Sequence, residues 1–229
     1  MGVRRAIGRR ARAAAATFHN AVTLSRTLGQ FRSMATETAV DGRGRALPWF
    51  TYPAIEYLSQ FDYAAKTVFE FGAGNSTVFW SERAQRVTAV ENDAGWQQAV
   101  AARVGPNVTL VLADNEADYA DAIVRTGQTF DVIVIDGWYR MACVAPALRC
   151  LAPGGMIVLD NSDWLPRTAE SLRGGDLIQV DFNGFGPICA WRWTTSVFLS
   201  RTFDFPALAP DRPHPPRGGS PPPESAFGM

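Results

Sequence analysis

Histidine and lysine are almost missing from this chain. Its 229 residues hold two histidines, His19 and His214, and a single lysine, Lys66, among 22 basic residues. Both histidines lie outside the patterned middle of the chain, so a Ser-His-Asp or Cys-His mechanism would need one of them folded back onto it. Lys66 precedes the first strand-like run, at the wrong end of a parallel sheet for chemistry. Cysteine is scarce as well. Cys143, Cys150 and Cys189 are odd in number and form no CxxC pair, which argues against a structural zinc site and for reduced thiols in a cytoplasmic protein. No apolar run approaches the roughly 20 residues of a membrane span, so no transmembrane segment is expected. Formal net charge is zero, leaving no global field to recruit nucleic acid or an anionic membrane. What is present is a 47 % apolar composition, enough to fill the core of one domain with appendages.

Three zones follow from the pattern: 1–45, 46–203 and 204–229. The first carries nine arginines against Glu37 and Asp41, with an alanine-rich centre at Ala11 to Ala16 of good helix propensity. It reads as a solvated helix; its arginines also suit an acidic partner, a membrane surface or a targeting segment, and the helix could pack on a second copy. The third zone holds eight prolines from Pro206 onward and little that packs, and a disordered tail is expected. Between them strand-like runs alternate with helical ones. Strands are expected at 67–71, 86–91, 108–112, 130–135, 155–159, 177–182 and 195–200, and helices at 76–85, 95–104, 117–126, 141–151 and 164–173. The central strands are nearly continuous apolar runs, as in parallel strands covered on both faces. The pattern predicts an α/β fold: a doubly wound, seven-stranded, mostly parallel sheet. The last two strands lack a helix between them and should pair antiparallel.

The run Thr67-Val-Phe-Glu-Phe-Gly-Ala-Gly-Asn-Ser-Thr77 ends a strand in a glycine turn that opens a helix. Gly72 and Gly74 allow a sharp turn and close approach of backbone to a ligand. Thr77 stands where the dinucleotide fingerprint GxGxxG needs its third glycine, which counts against an NAD-linked dehydrogenase. Carboxylates collect at the expected carboxyl ends of the strands: Glu70 within the first, Glu91 closing the second, then Asp114, Asp136 and Asp160. Glu91, about twenty residues beyond the turn, is placed to take both ribose hydroxyls of a nucleoside. Asp114 either accepts from an adenine amino group or caps the following helix.

Taken in order, VFEFGAGNST, VTAVEND, VTLVLAD, FDVIVIDG and LAPGGMIVLDN resemble the successive motifs of class I S-adenosylmethionine-dependent methyltransferases. The resemblance spans about 67–200. It implies a seventh strand antiparallel to the rest and S-adenosylmethionine as cofactor. It sets Glu70, Gly72 and Gly74 along the methionine part and Glu91 on the ribose, with Ala73, Asn75, Ser76 and Asn92 as further cofactor-binding residues. The segment from Pro48 to Tyr57 further resembles bacterial methyltransferases linked to polysaccharide or small-molecule biosynthesis. Asp136, Asp160 and Asn161 are spaced like the Mg²⁺ triad of catechol and caffeoyl-CoA O-methyltransferases, although the lysine customary there is missing. A metal at that triad is one expectation. The other has Asp136 meeting cofactor or acceptor directly, with Asp160 and Asn161 organising a loop. Asp136 is the best-placed general base, with Tyr139 and Arg140 as neighbouring acceptor contacts.

Aromatic residues supply the expected acceptor surface: Trp138, Tyr139 and Trp164 on the strand-end loops, and Trp49, Phe50 and Tyr52 before the sheet unless they pack into the core. Trp96 either stacks on adenine or covers its helix, and Trp191 and Trp193 read as core or hairpin residues. The acceptor is expected to be a small molecule or sugar methylated on a hydroxyl, with no nucleic acid involved. Two other classes stay open: another cofactor-using enzyme on a similar sheet, such as an aminopropyl transferase, and a non-catalytic module keeping the fold.

Overall fold

In the computed structural model the described residues are 2–211 and 215–219, with side chains from residue 7 onward. Seven strands form one sheet: β1 Thr67–Phe71, β2 Arg86–Glu91, β3 Val108–Leu112, β4 Phe130–Ile135, β5 Leu151–Leu159, β6 Ile178–Gly184 and β7 Trp193–Leu199. Their order is β3-β2-β1-β4-β5-β7-β6. β1 to β5 run parallel, and β7 is antiparallel both to β5 and to β6. The strand order reverses between β1 and β4, where Phe71 pairs with Ile135. At such a reversal the connecting segments leave to opposite faces and open a crevice beyond the carboxyl ends.

Side chains on a strand alternate between faces, and β1 shows how both are filled. Phe69 and Phe71 point into one core layer with Ile133, Ile135, Tyr119 and Leu172. Val68 points into the other, with Val132, Val134, Phe79, Trp80 and Tyr63. The helices α4 Asn75–Ser81, α5 Ala94–Ala101, α6 Glu116–Arg125, α7 Arg140–Cys150 and α8 Pro166–Arg173 connect the strands. Three further helices precede the sheet: α1 Gly2–Val22, α2 Gln30–Thr36 and α3 Tyr52–Leu58, with a π-turn at Thr23–Thr27 between the first two. α1 lies on the surface with Ile7 and Phe18 exposed, whereas Leu47, Phe50 and Tyr52 are buried.

Boundaries shift where local signals are weak. β5 begins at Leu151, four residues earlier than expected, because an irregularity opposite Phe130 and Val132 accommodates Pro153 and two glycines. α8 starts at Pro166 instead of 164, as proline prefers the first turn of a helix. The segment expected as an unpacked tail is docked over part of its length. Phe205 is buried against Tyr63 and Phe61, and Lys66 lies over its ring. Backbone bonds join Asp62 to Pro206 and Leu208 to Gln60, and Arg217 pairs with Glu56. Residues 212–214 and 220–229 of that tail, His214 included, lie outside the described residues. No helix among the described residues is long and apolar enough to cross a membrane.

Candidate active site

A cleft of about 1070 Å³ opens at the strand reversal, above the carboxyl ends of β1, β2, β4 and β5. Its floor is the turn after β1. Gly72 has φ +97°, and a Cβ there would fall 2.7 Å from the Cα of Gly137. The sequence suggested that this glycine spares a ligand; in the structure it spares the backbone of the loop after β4. Gly74 differs. A Cβ on it would point into open space, with Ser76 Oγ the nearest atom at 3.9 Å, so the room beside Gly74 belongs to the cleft. Its N–H donates to Thr77 Oγ1 at 2.9 Å, which caps α4.

Two carboxylates hold this turn. Glu91 is buried and accepts three backbone N–H groups: Ala73 on one oxygen at 3.0 Å, Asn92 and Asp93 on the other at 2.8 and 3.0 Å. It therefore ties the glycine turn to the end of β2 and still has one unused lone pair for the cleft that it lines. Glu70 is fully buried below the turn, where its Oε2 accepts from the Thr77 hydroxyl and its Oε1 has no partner among the described residues. Burial pushes the Glu70 carboxyl up to about 7. The Ser76 and Thr77 hydroxyls work against that rise, and the Glu91 charge adds to it.

Of the expected cofactor residues, Gly72, Ala73, Gly74, Asn75, Ser76, Glu91, Asn92 and Asp136 all line the cleft. Asn75 is also tied by Nδ2 to the carbonyl of Ala39, 2.6 Å away. Glu70, buried below the turn, does not join them, and neither does Asp114. It is exposed at the end of the edge strand β3, and the cap of α6 is Asn115, whose side chain accepts from the Asp118 N–H at 3.0 Å. Trp96 lines the cleft and donates its Nε1–H to the Ala73 carbonyl at 2.6 Å.

The expected metal triad is not assembled. Asp160 is buried with its Oδ1 turned toward β7, accepting from Trp193 Nε1 at 2.9 Å and from the Thr195 hydroxyl. The space between Asp136 and Asn161 is filled by Arg140, whose guanidinium donates to Asp136 Oδ1 at 3.2 Å and Asn161 Oδ1 at 2.9 Å. Among the described residues no three His, Cys, Asp or Glu side chains converge as metal ligands. Mg²⁺ thus does not fit this donor set. Burial raises the Asp136 carboxyl above its usual range; the Arg140 charge opposes this, and the Glu70 charge adds to the rise.

The rim is aromatic. Trp49, Trp138, Trp164 and Trp191 are 47 to 66 % exposed and line the same cleft. Trp193, by contrast, is buried, and Tyr139 packs on Tyr119 instead of facing the cleft. The contribution of Glu37, Thr38 and the β6–β7 hairpin around Ile188 to this rim has no local sequence signal. It arises because α2 is latched to the hairpin, with Gln30 Nε2 donating to the Cys189 carbonyl at 3.0 Å.

Residues 69–162 match the family model described as a methyltransferase domain. The fold is that of a precorrin-6y C5,15-methyltransferase from Geobacter metallireducens GS-15. The TM-score is 0.54 at 17 % identity, covering 73 % of this chain and 96 % of that one. Residues 69–162 thus resemble a methyltransferase domain in sequence, and the sheet around them has the fold of one. Weaker structural likenesses include a putative methyltransferase from Pseudomonas syringae, with TM-score 0.49, 15 % identity and coverage of 65 and 96 %. An N-methyltransferase, NodS, from Bradyrhizobium japonicum WM9 in complex with S-adenosyl-L-homocysteine gives TM-score 0.45 and 15 % identity, with coverage of 60 and 79 %. No curated protein matched the chain. S-adenosylmethionine suits the residues present: Gly74 leaves a cradle that a Cβ would fill, and Glu91 offers a buried carboxylate beside it.

Proposed function

We propose that this chain is an S-adenosylmethionine-dependent methyltransferase acting on a hydroxyl of a small-molecule or sugar acceptor seated beneath the tryptophan rim. The observation that carries this reading is five solvent-exposed indoles, those of the rim and Trp96, around one cleft whose interior holds carboxylates. Large exposed apolar surface is costly in a soluble protein unless a ligand covers it. Indole faces suit the flat, partly apolar face of a sugar ring or small organic acceptor, while carboxylate and amide oxygens suit its hydroxyls. Charge points the same way. The cleft presents Glu37, Asp93 and Asp136 against Arg103 and Arg140, a poor surface for a polyanionic nucleic acid.

S-adenosylmethionine supplies an electrophilic methyl group on a sulfonium. Glu91 would accept from a ribose hydroxyl, and the open side of Gly74 would admit the cofactor's chain close to backbone. Asp136, at the end of β4 and lining the cleft, would take the proton of the acceptor hydroxyl as its oxygen attacks. The tryptophans exclude water and orient the acceptor, and positioning of this kind accounts for much of a displacement's rate.

The test is transfer of labelled methyl from S-adenosylmethionine to a panel of saccharides, phenols, amines and RNA. Label in saccharide or small-molecule hydroxyls is expected. Trp138→Ala and Trp164→Ala should raise the acceptor KM at least tenfold while leaving S-adenosylhomocysteine affinity unchanged. Label in RNA or amines alone would overturn the acceptor assignment. Tight cofactor binding without transfer to any acceptor would point to a non-catalytic module.

A further inference from the structure

Arg140 is joined to the chain by five hydrogen bonds, and a guanidinium has five N–H donors. Nε donates to the Gly137 carbonyl at 2.9 Å. One terminal nitrogen donates to the Asp160 carbonyl at 2.6 Å and to Asn161 Oδ1 at 2.9 Å. The other donates to the Asp136 carbonyl at 2.9 Å and to Asp136 Oδ1 at 3.2 Å. Three carbonyls, one carboxylate oxygen and one amide oxygen thus converge on one positive group. All are hard oxygen donors from the ends of β4 and β5, the kind of set that would otherwise hold a hydrated divalent ion. The backbone bends to make this possible. Tyr139 and Asn161, on either side of the guanidinium, have φ +52° and +54°, a conformation uncommon outside glycine that persists only where surrounding contacts hold it. Arg140 side-chain exposure is only 19 %.

We infer that Arg140 is the resident cation of this site, standing where a divalent ion would stand, and that it positions Asp136 for a metal-independent methyl transfer. With every N–H engaged by the protein, the guanidinium has none left for an acceptor. It acts through Asp136, whose Oδ1 it holds while Oδ2 accepts no hydrogen bond from the described residues. The role in transfer rests on the function proposed above; the replacement of the ion does not.

Mn²⁺ uptake, followed by loss of the free-ion electron paramagnetic resonance signal, tests the replacement directly. The wild-type chain, apo or saturated with S-adenosylhomocysteine, should take up none. Arg140→Ala should take up one ion per chain, and the double variant Arg140→Ala with Asp136→Asn should lose it. Arg140→Lys, which keeps a cation in place, should take up none. Stoichiometric uptake by the wild type that Asp136→Asn abolishes would overturn the inference. So would absence of uptake by an Arg140→Ala chain whose circular dichroism and melting show it folded. In turnover, wild-type methyl transfer should be unaffected by EDTA, and Arg140→Ala should lose at least tenfold in kcat with the S-adenosylmethionine KM unchanged. EDTA-sensitive wild-type turnover would also refute it. Failure of the wild type to bind S-adenosylhomocysteine would sink the methyltransferase reading instead, leaving the apo Mn²⁺ result standing.

Discussion

Replacing Glu91 by glutamine is the sharpest perturbation of the proposed cofactor site, because the amide keeps the shape and removes one acceptor. In the wild type one oxygen takes the N–H groups of Asn92 and Asp93, while the other takes that of Ala73. The single carbonyl of an amide can keep the first pair, which leaves its NH₂ facing the Ala73 N–H, donor against donor. A buried N–H without a partner costs about 1–3 kcal/mol. For a chain of this size that corresponds to a loss of roughly 4–8 °C in Tm at the middle of that range. Binding loses separately: one charge-assisted bond to the ribose, about 1.5–3 kcal/mol, or roughly ten- to two-hundredfold in Kd. Differential scanning calorimetry reads the first effect, and isothermal titration with S-adenosylhomocysteine the second. A folded Glu91→Gln chain whose Kd stays within threefold of wild type would refute the placement of the ribose at Glu91.

The two glycines of the turn should separate cleanly. Gly72→Ala, at positive φ and against the Gly137 backbone, should lower stability by about 2 kcal/mol or more in urea unfolding. Gly74→Ala should unfold like wild type yet bind S-adenosylhomocysteine at least tenfold more weakly; equal affinity would remove the cofactor from that side of the turn. Glu70 gives a pH signature. Its carboxyl is raised from 4.5 to about 7 in the folded chain, so the folded state holds more protons than the unfolded one between those values. Stability from this group is therefore full below about pH 4.5 and declines as pH rises toward 7. Glu70→Gln should flatten that part of the Tm–pH curve, and an unchanged slope would place its origin elsewhere.

Much of the architecture was legible in the sequence. β1, β2, β3 and β4 fall on the expected residues because a covered parallel strand is a short apolar run bounded by breakers, a local property. The site was legible in part. Glycines and carboxylates sit at strand ends, and a parallel sheet gathers all those ends on one edge. The errors are equally physical. Asp114 obeys the same strand-end rule, but β3 is the edge strand and its end lies beyond the cleft. Asp160 has metal-ligand spacing, but its rotamer is decided by Trp193 and Thr195, distant in the chain and adjacent in the sheet.

The amino-acid sequence by itself determined the strand–helix alternation, the glycine turn and the presence of a carboxylate in or just after each of the first five strands, since periodicity and turn chemistry act within a few residues. Only the tertiary structure decided which charge answers those carboxylates. Strand order and loop conformation bring Arg140 to the oxygens of Asp136, Gly137, Asp160 and Asn161, turn Asp160 into the sheet, and gather four separate tryptophans into one rim. The Arg140 contacts to Asp136 and Gly137 lie within one loop, but those to Asp160 and Asn161, the turn of Asp160 and the rim join distant segments, fixed by packing and by the exclusion of unpaired polar groups from the interior, and no local pattern encodes them.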